Sequence, residues 1–407
     1  MDIFSQLSIV FLIGTVVAIY FWPEIIIGVQ LFSTPIFGLA LESLGVGVGS
    51  VNTIFALTAF SLILYSRRNK GIQLLPSTFI ESAIIVLIIW GAVTLTYTPS
   101  PNYGSSKILF LLFITLPCLY IARVYCSDLS KVKKVFTSSG WYSIACVLFY
   151  TAYVVLNATD SSRIRSSFFS PLTLGYITVG VIPFIYAVFS SSKSLNKILA
   201  GSSTMGAIYV LVATGSRGPA LALVTATMIA LLRLRNFLRV SIGIAITGWF
   251  AYFLASKYAA SGLERILGQT KGGTNSADSR ILQYQVAIEQ FTQFPIFGQG
   301  IGSYSFFFHS LDIKYYPHNS FLEIAGELGV LGLLIYCSAL IFCFVRIVGM
   351  RRIKIHSNEN YFWIIASFQA LFFAGLINSC LSNAFTSQRM LFVSFGLLAA
   401  STKWQKR

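Results

Sequence analysis

His318, Arg217 and Arg280 are the side chains whose types and settings suit chemistry. His318 and Asn319 precede Phe321, where a long apolar segment begins, so they stand where water meets lipid, at the start of a helix. In Ser320-x-x-Glu323 each side chain can bond the other's backbone N–H, a capping box that fixes that start. Protonation is disfavoured directly before a helix N-terminus, so a neutral imidazole is available at 318 as acceptor or base. A purely structural histidine is the other reading. Glu323 and Glu327 follow one turn apart, Glu323 as cap first. His309 lies in an aromatic run and reads as a packed ring.

Arg217 sits in Gly215-Ser216-Arg217-Gly218-Pro219, a tight turn between two apolar segments with Gly and Pro supplying the bend. A guanidinium there offers a planar fork of donors for phosphate oxygens, or else snorkels to headgroups. Arg280 falls in a predicted helix with Ser276 or Asp278 as N-cap and Ile281, Tyr284, Ile288 and Phe291 on one face; Pro295 stops it. A cation in a first turn opposes the helix dipole, and a bound anion would remove that penalty. Pairing with Asp278 or Glu289 is the alternative. Gly298-Gln-Gly-Ile-Gly302 has the wrong spacing for a dinucleotide fingerprint and reads as a loop.

The elements that must position these residues are membrane helices. Of 407 residues 56% are hydrophobic and 10% charged, against about 25% charged in soluble domains, and the mean hydropathy is +0.75. Apolar runs of helix-spanning length recur without the alternation of a β-barrel. The expected fold is an all-α integral membrane protein of about twelve spans near 7–27, 51–65, 79–95, 108–124, 135–156, 172–189, 198–213, 219–232, 240–256, 324–345, 361–376 and 390–400. Residues 31–49, with Pro35 and several Gly, form a short extra span or a re-entrant piece.

Alternate loops carry most Lys and Arg, among them Arg67, Arg68, Arg123, Lys131, Lys133, Lys134, Lys193, Arg233, Arg346, Arg351 and Lys403, and this set is expected in the cytoplasm. The +16 formal charge then reports topology and contact with membrane lipids, with no need for nucleic acid. Arg163 and Arg165 read as solvated loop cations on the other side. Three regions follow: 1–256 with about nine spans, 257–323 as one long periplasmic loop carrying the amphipathic helix and the chemistry, and 324–407 with the last spans and a basic cytoplasmic tail. The six cysteines lack metal-type spacing and read as small apolar residues. The first apolar run lacks a cleavage site and is expected to stay as an anchor.

Ser216-Arg217-Gly218, Arg280 in its amphipathic helix, Phe294-Pro295-Ile-Phe-Gly-x-Gly-x-Gly, and Pro317-His318-Asn319-x-Phe-Leu-Glu323-x-x-x-Glu327-x-Gly-x-x-Gly332 together resemble the bacterial O-antigen ligase and polymerase superfamily. The resemblance covers the second half in motif and the whole chain in layout. It implies a GT-C-like, inverting glycosyltransferase of the inner membrane. Such an enzyme takes a glycan from undecaprenyl pyrophosphate at the periplasmic face and passes it to a lipid-linked glycan or to lipid A–core. By resemblance Arg217 and Arg280 bind the pyrophosphate, His318 positions or deprotonates the acceptor hydroxyl, Asn319 and Glu323 support it, and a chain-length regulator protein is a further partner. No cofactor or metal is expected: there is no Asp-x-Asp, and two Arg can stabilise the leaving charge. Tyr315-Tyr316-Pro317 before His318 and Pro219 after Arg217-Gly218 favour a polymerase over a ligase. A lipid-linked glycan flippase would instead gather ionisable groups within its spans.

Overall fold

The computed structural model describes residues 3–46, 50–68, 77–157, 170–189, 194–231, 266, 271–350, 362–381 and 384–404. Within them all regular structure is helical. The expected span Val240–Ser256, the loop residues Arg163 and Arg165, and Lys193, Arg233 and Arg351 lie outside the described residues.

Ile3–Phe21 (α1) ends at Trp22-Pro23, because proline has no N–H to continue the helix. The span expected over 7–27 therefore breaks there. The chain re-enters as Ile26–Phe32 (α2), which meets Thr34–Ser43 (α3) at 85° around Ser33 and Pro35. The ambiguous stretch after residue 31 is thus the second arm of a bent, buried pair. Ser50–Arg68 (α4), Phe79–Thr94 (α5), Pro101–Tyr125 (α6, with a π-helical stretch at Leu111–Thr115), Leu129–Asn157 (α7), Pro171–Phe189 (α8), Ser194–Thr214 (α9) and Arg217–Leu231 (α10) follow. Then come Lys271–Gln293 (α11), Tyr304–His309 (α12), Ser320–Gly349 (α13), Phe362–Leu381 (α14) and Arg389–Trp404 (α15). Among the described residues six helices are long and apolar enough to cross a membrane (α1, α6, α7, α8, α9 and α13), or seven with the bent pair counted as one. Three shorter apolar helices lie at Phe79–Thr94, Ile365–Leu381 and Arg389–Thr402.

Contacts sort the helix ends into two groups. At one end Arg68 donates to the carbonyls of Tyr20 and Phe21, Lys134 pairs with Glu24, Arg123 pairs with Glu81 at 2.8 Å, and Trp404 Nε1 donates to Cys126 O. The sequence assigned these basic residues to one side of the membrane, and they do share one end of the bundle. Ser216, Ser320 and Phe385 belong to the other. There Ser216 Oγ donates to Pro171 O, Phe385 N donates to Glu323 Oε2, and Gln388 donates to Ser320 Oγ. Cys118, Cys126, Cys146 and Cys343 are buried as free thiols, with Cys337 and Cys380 half-buried.

The helix that carries the site is not continuous. At Gly329 φ is +68° and ψ −169°, and the loop after α11 wedges into the break. Val330 N donates to Pro295 O at 2.8 Å, Gly300 N to Glu327 O at 2.9 Å and Gln299 N to Gly326 O at 3.1 Å, so the carbonyls and amides freed by the break find partners in the loop. A Cβ at Gly329 would lie 2.2 Å from Ile296 O, and one at Gly298, also at positive φ, 2.3 Å from Glu327 O. The Gly298–Gly302 run is a loop, as its sequence indicates, and it is the wedge. Gly326, Gly329 and Gly332 are spaced as small residues that admit a neighbouring helix, but only Gly326 meets one, at Gln290 of α11.

Candidate functional site

The capping box is replaced by a different arrangement. Asn319 is the N-cap of α13: its Oδ1 accepts from Phe321 N at 3.0 Å and Leu322 N at 3.2 Å. Glu323 turns inward instead, where Lys107 Nζ of α6 lies 2.6 Å from Glu323 Oε1 and 2.6 Å from Glu327 Oε1. The three side chains are 2%, 1% and 3% exposed. Phe385 N completes Glu323 at 2.7 Å and Gly302 N completes Glu327 at 2.9 Å. Two carboxylates sharing one ammonium would be costly in so buried a place without these extra donors. The wedge therefore delivers an amide to the ion cluster as well as closing the helix break. Sequence reasoning missed Lys107, although a lysine beside an apolar run calls for a carboxylate, and Glu323 and Glu327 are the pair on the facing helix.

Asp312 fastens the segment that leads to His318. Its two oxygens accept from Asn102 N at 2.8 Å and Tyr103 N at 2.9 Å, capping the start of α6. Beneath it a cavity of about 350 Å³ is lined by Tyr103, Ser106, Lys107, Asp312, Lys314 and Thr386. The chain then passes Tyr315, whose hydroxyl accepts from Gln283 Nε2 at 2.7 Å, and buried Pro317. His318 itself adopts φ +55°, a left-handed conformation that turns the chain into α13, and it is half-buried with its ring 4.6 Å from that of Tyr316. His309 is exposed, with its ring 4.5 Å from that of Phe308 and 4.6 Å from that of Tyr315, so it is an interfacial residue and not one packed inside the bundle.

α11 starts at Lys271, so neither Ser276 nor Asp278 is its N-cap and Arg280 is not in its first turn. The helix-start case for an anion at Arg280 falls with that correction. A different one replaces it: Arg280 is half-buried and, among the described residues, pairs with neither Asp278 nor Glu289. Its charge reaches Tyr316. Burial pushes the Tyr316 hydroxyl above the ordinary phenol value, Glu323 adds to this, and Lys107 and Arg280 draw it back. Tyr316 is thus a protonated donor at neutral pH, with His318, Arg280 and the Lys107 cluster around it. The inward face of α11 is Gln283, Ala287 and Gln290, while Ile281 and Ile288 of the expected apolar face point outward with Leu282.

Arg217 opens α10 and is exposed. Gly215 at φ +62° and Pro219 against Gly175 of α8 make the expected tight turn. α10 packs along α14 through Ala222, Ala226, Ala370 and Ala374, and Cys380 in the last turn of α14 is near enough to act on the Tyr284 hydroxyl of α11. The charge of Arg280 is felt at Tyr284 and at Tyr316, whose ring lies 4.6 Å from that of His318.

No curated protein matches the chain. A family model described as O-antigen ligase matches residues 201–337, a segment that holds Arg217, Arg280, His318, Glu323 and Glu327, and this match supports the chain's membership of the O-antigen ligase and polymerase superfamily.

Proposed function

We propose that this protein is a glycosyltransferase that moves a glycan from undecaprenyl pyrophosphate to a sugar hydroxyl at the periplasmic face of a bacterial inner membrane, as a polymerase joining lipid-linked repeat units. The family match over residues 201–337, which takes in Arg217, Arg280 and His318, carries this reading, and the place of His318 at the start of α13 beside Tyr316 supports it. In the reaction His318 takes the proton of the acceptor hydroxyl, whose oxygen attacks the anomeric carbon from the face opposite the pyrophosphate. The bond to the pyrophosphate oxygen breaks with inversion. The leaving diphosphate is already acidic, so it needs charge stabilisation rather than a proton, and Arg280 and Arg217 supply it without a metal. Asn319 holds His318 at the helix start, and Glu323 keeps Lys107 in place beneath Tyr316.

The description of the matching family model favours a ligase as the second reading, with lipid A–core as acceptor. Deletion in the native cell separates the two. One repeat on core marks a lost polymerase, whereas core without repeats, together with accumulated lipid-linked polymer, marks a lost ligase. In a transfer assay His318→Ala is expected to lower the rate by about 10²–10⁴-fold. Arg280→Ala and Arg217→Ala should also abolish transfer at normal membrane levels, with Lys at either position a partial rescue at best, since an ammonium lacks the fork. Normal transfer by all three alanine variants rejects the reading.

A further inference from the structure

A second cavity, of about 300 Å³, adjoins the one over Lys107 and shares Phe110, Lys314 and Ser387 with it. Arg389 and Lys314 line it and no Asp or Glu does. Arg389 opens α15. Its Nη1 donates to Gln30 O at 2.9 Å and to Thr34 Oγ1 at 2.6 Å, which anchors the guanidinium on the bend between α2 and α3. Its Nε and Nη2 have no acceptor among the described residues. Neither cation has a carboxylate within ion-pair distance among those residues, and Asp312, the acid nearest Lys314 in sequence, spends both oxygens on backbone amides.

A fixed guanidinium with unspent donors, a second cation and the positive end of a helix suit one kind of ligand: an anionic phosphate group, whose oxygens match the guanidinium and ammonium. We propose that this cavity binds the phosphorylated end of the acceptor glycolipid, separately from the donor pyrophosphate at Arg217 and Arg280. The proposal rests on the glycosyltransferase reading. The acceptor's glycan then runs from Arg389 through the shared Phe110 and Lys314 boundary, over Lys107, to present its far hydroxyl to His318.

The test uses farnesyl pyrophosphate as probe, titrated against the full chain in nanodiscs of zwitterionic lipid. Two equivalents should bind to the wild type and one to Arg217→Ala/Arg280→Ala. In that double variant Lys314→Ala should weaken the remaining site by about tenfold, the scale of one lost charge-assisted contact. Arg389→Gln should remove it; because Arg389 also ties α2 to α3, the exposed Lys314 keeps the test independent of folding. Loss of all binding in Arg217→Ala/Arg280→Ala overturns the proposal, as does unchanged affinity in Lys314→Ala. Displacement of the probe by phosphatidylglycerol at equal mole fraction also overturns it, by making the site one for bilayer headgroups. If the second equivalent binds as described while the wild type transfers no glycan, the activity reading fails and the anion site stands.

Discussion

Lys107 holds two carboxylates that would otherwise face each other unpaired inside the protein. Lys107→Met should therefore destabilise the fold by about 3–5 kcal/mol, the cost of breaking a buried pair from one side. Adding Glu323→Gln and Glu327→Gln should recover much of that loss, because the charges disappear together; thermal unfolding in detergent measures both. At the start of α13, Asn319→Ala should cost about 1 kcal/mol through the loss of the cap. Ser320→Ala leaves the amides of Phe321 and Leu322 served but deprives buried Gln388 of its acceptor, so its loss of about 1–3 kcal/mol should largely vanish in a Gln388→Leu background, whereas that of Asn319→Ala should persist there. That His318 and Asn319 stand at the start of a helix was legible from the apolar run that follows them; the setting of Arg280 was not, since its helix already starts at Lys271. The Lys107 cluster was not, since its partners lie 216 and 220 residues away and no local spacing records that distance. The capping box misled for a related reason: Ser-x-x-Glu is a local pattern, and a lysine across the bundle holds Glu323 more strongly than a backbone amide can.

At the scale of elements, the break in α13 depends on one backbone conformation. Gly329→Ala puts a Cβ against Ile296 O at a positive φ, so it should destabilise by about 1–3 kcal/mol or more and lower the amount of protein reaching the membrane. Gly201→Ala in α9 meets nothing within 4 Å and should be neutral or stabilising, up to about 1 kcal/mol. Chemical unfolding of the two variants makes the comparison. A sequence reader can see that Gly298–Gly302 is no helix, but the partner of such a loop lies in another part of the chain and leaves no local trace. α11 teaches a second lesson. Its spacing of Ile281, Tyr284 and Ile288 correctly implied a helix with an apolar side. Yet that side faces outward and Gln283 and Gln290 face in, because a bilayer accepts apolar side chains on the outside and buried amides can pair with Tyr315 and Ser303.

Across the whole molecule, the expected boundaries for 79–95, 172–189, 198–213 and 324–345 agree closely with helices, because apolar length is a direct physical requirement of crossing lipid. Bent or broken helices such as α2, α3 and α13 were harder to read, since a break satisfied by distant groups costs little and leaves hydropathy unchanged. The gathering of Arg68, Arg123 and Lys134 at one end and His318 at the other predicts opposite exposures in intact cells. A cysteine placed at Leu311 should react with a membrane-impermeant maleimide and one at Lys134 should not, in a background with the native cysteines replaced. Reaction at Lys134 alone reverses the topology. The segment between Asp312 and Asn319 is fastened at both feet, by a carboxylate across two amides of α6 and by an amide oxygen across two amides of α13. A span tied down in this way does not lift like a trapdoor. On the proposed function, long-tailed reactants would then slip in sideways from the surrounding oil, and traffic through that flank, rather than opening from above, would set the pace of turnover.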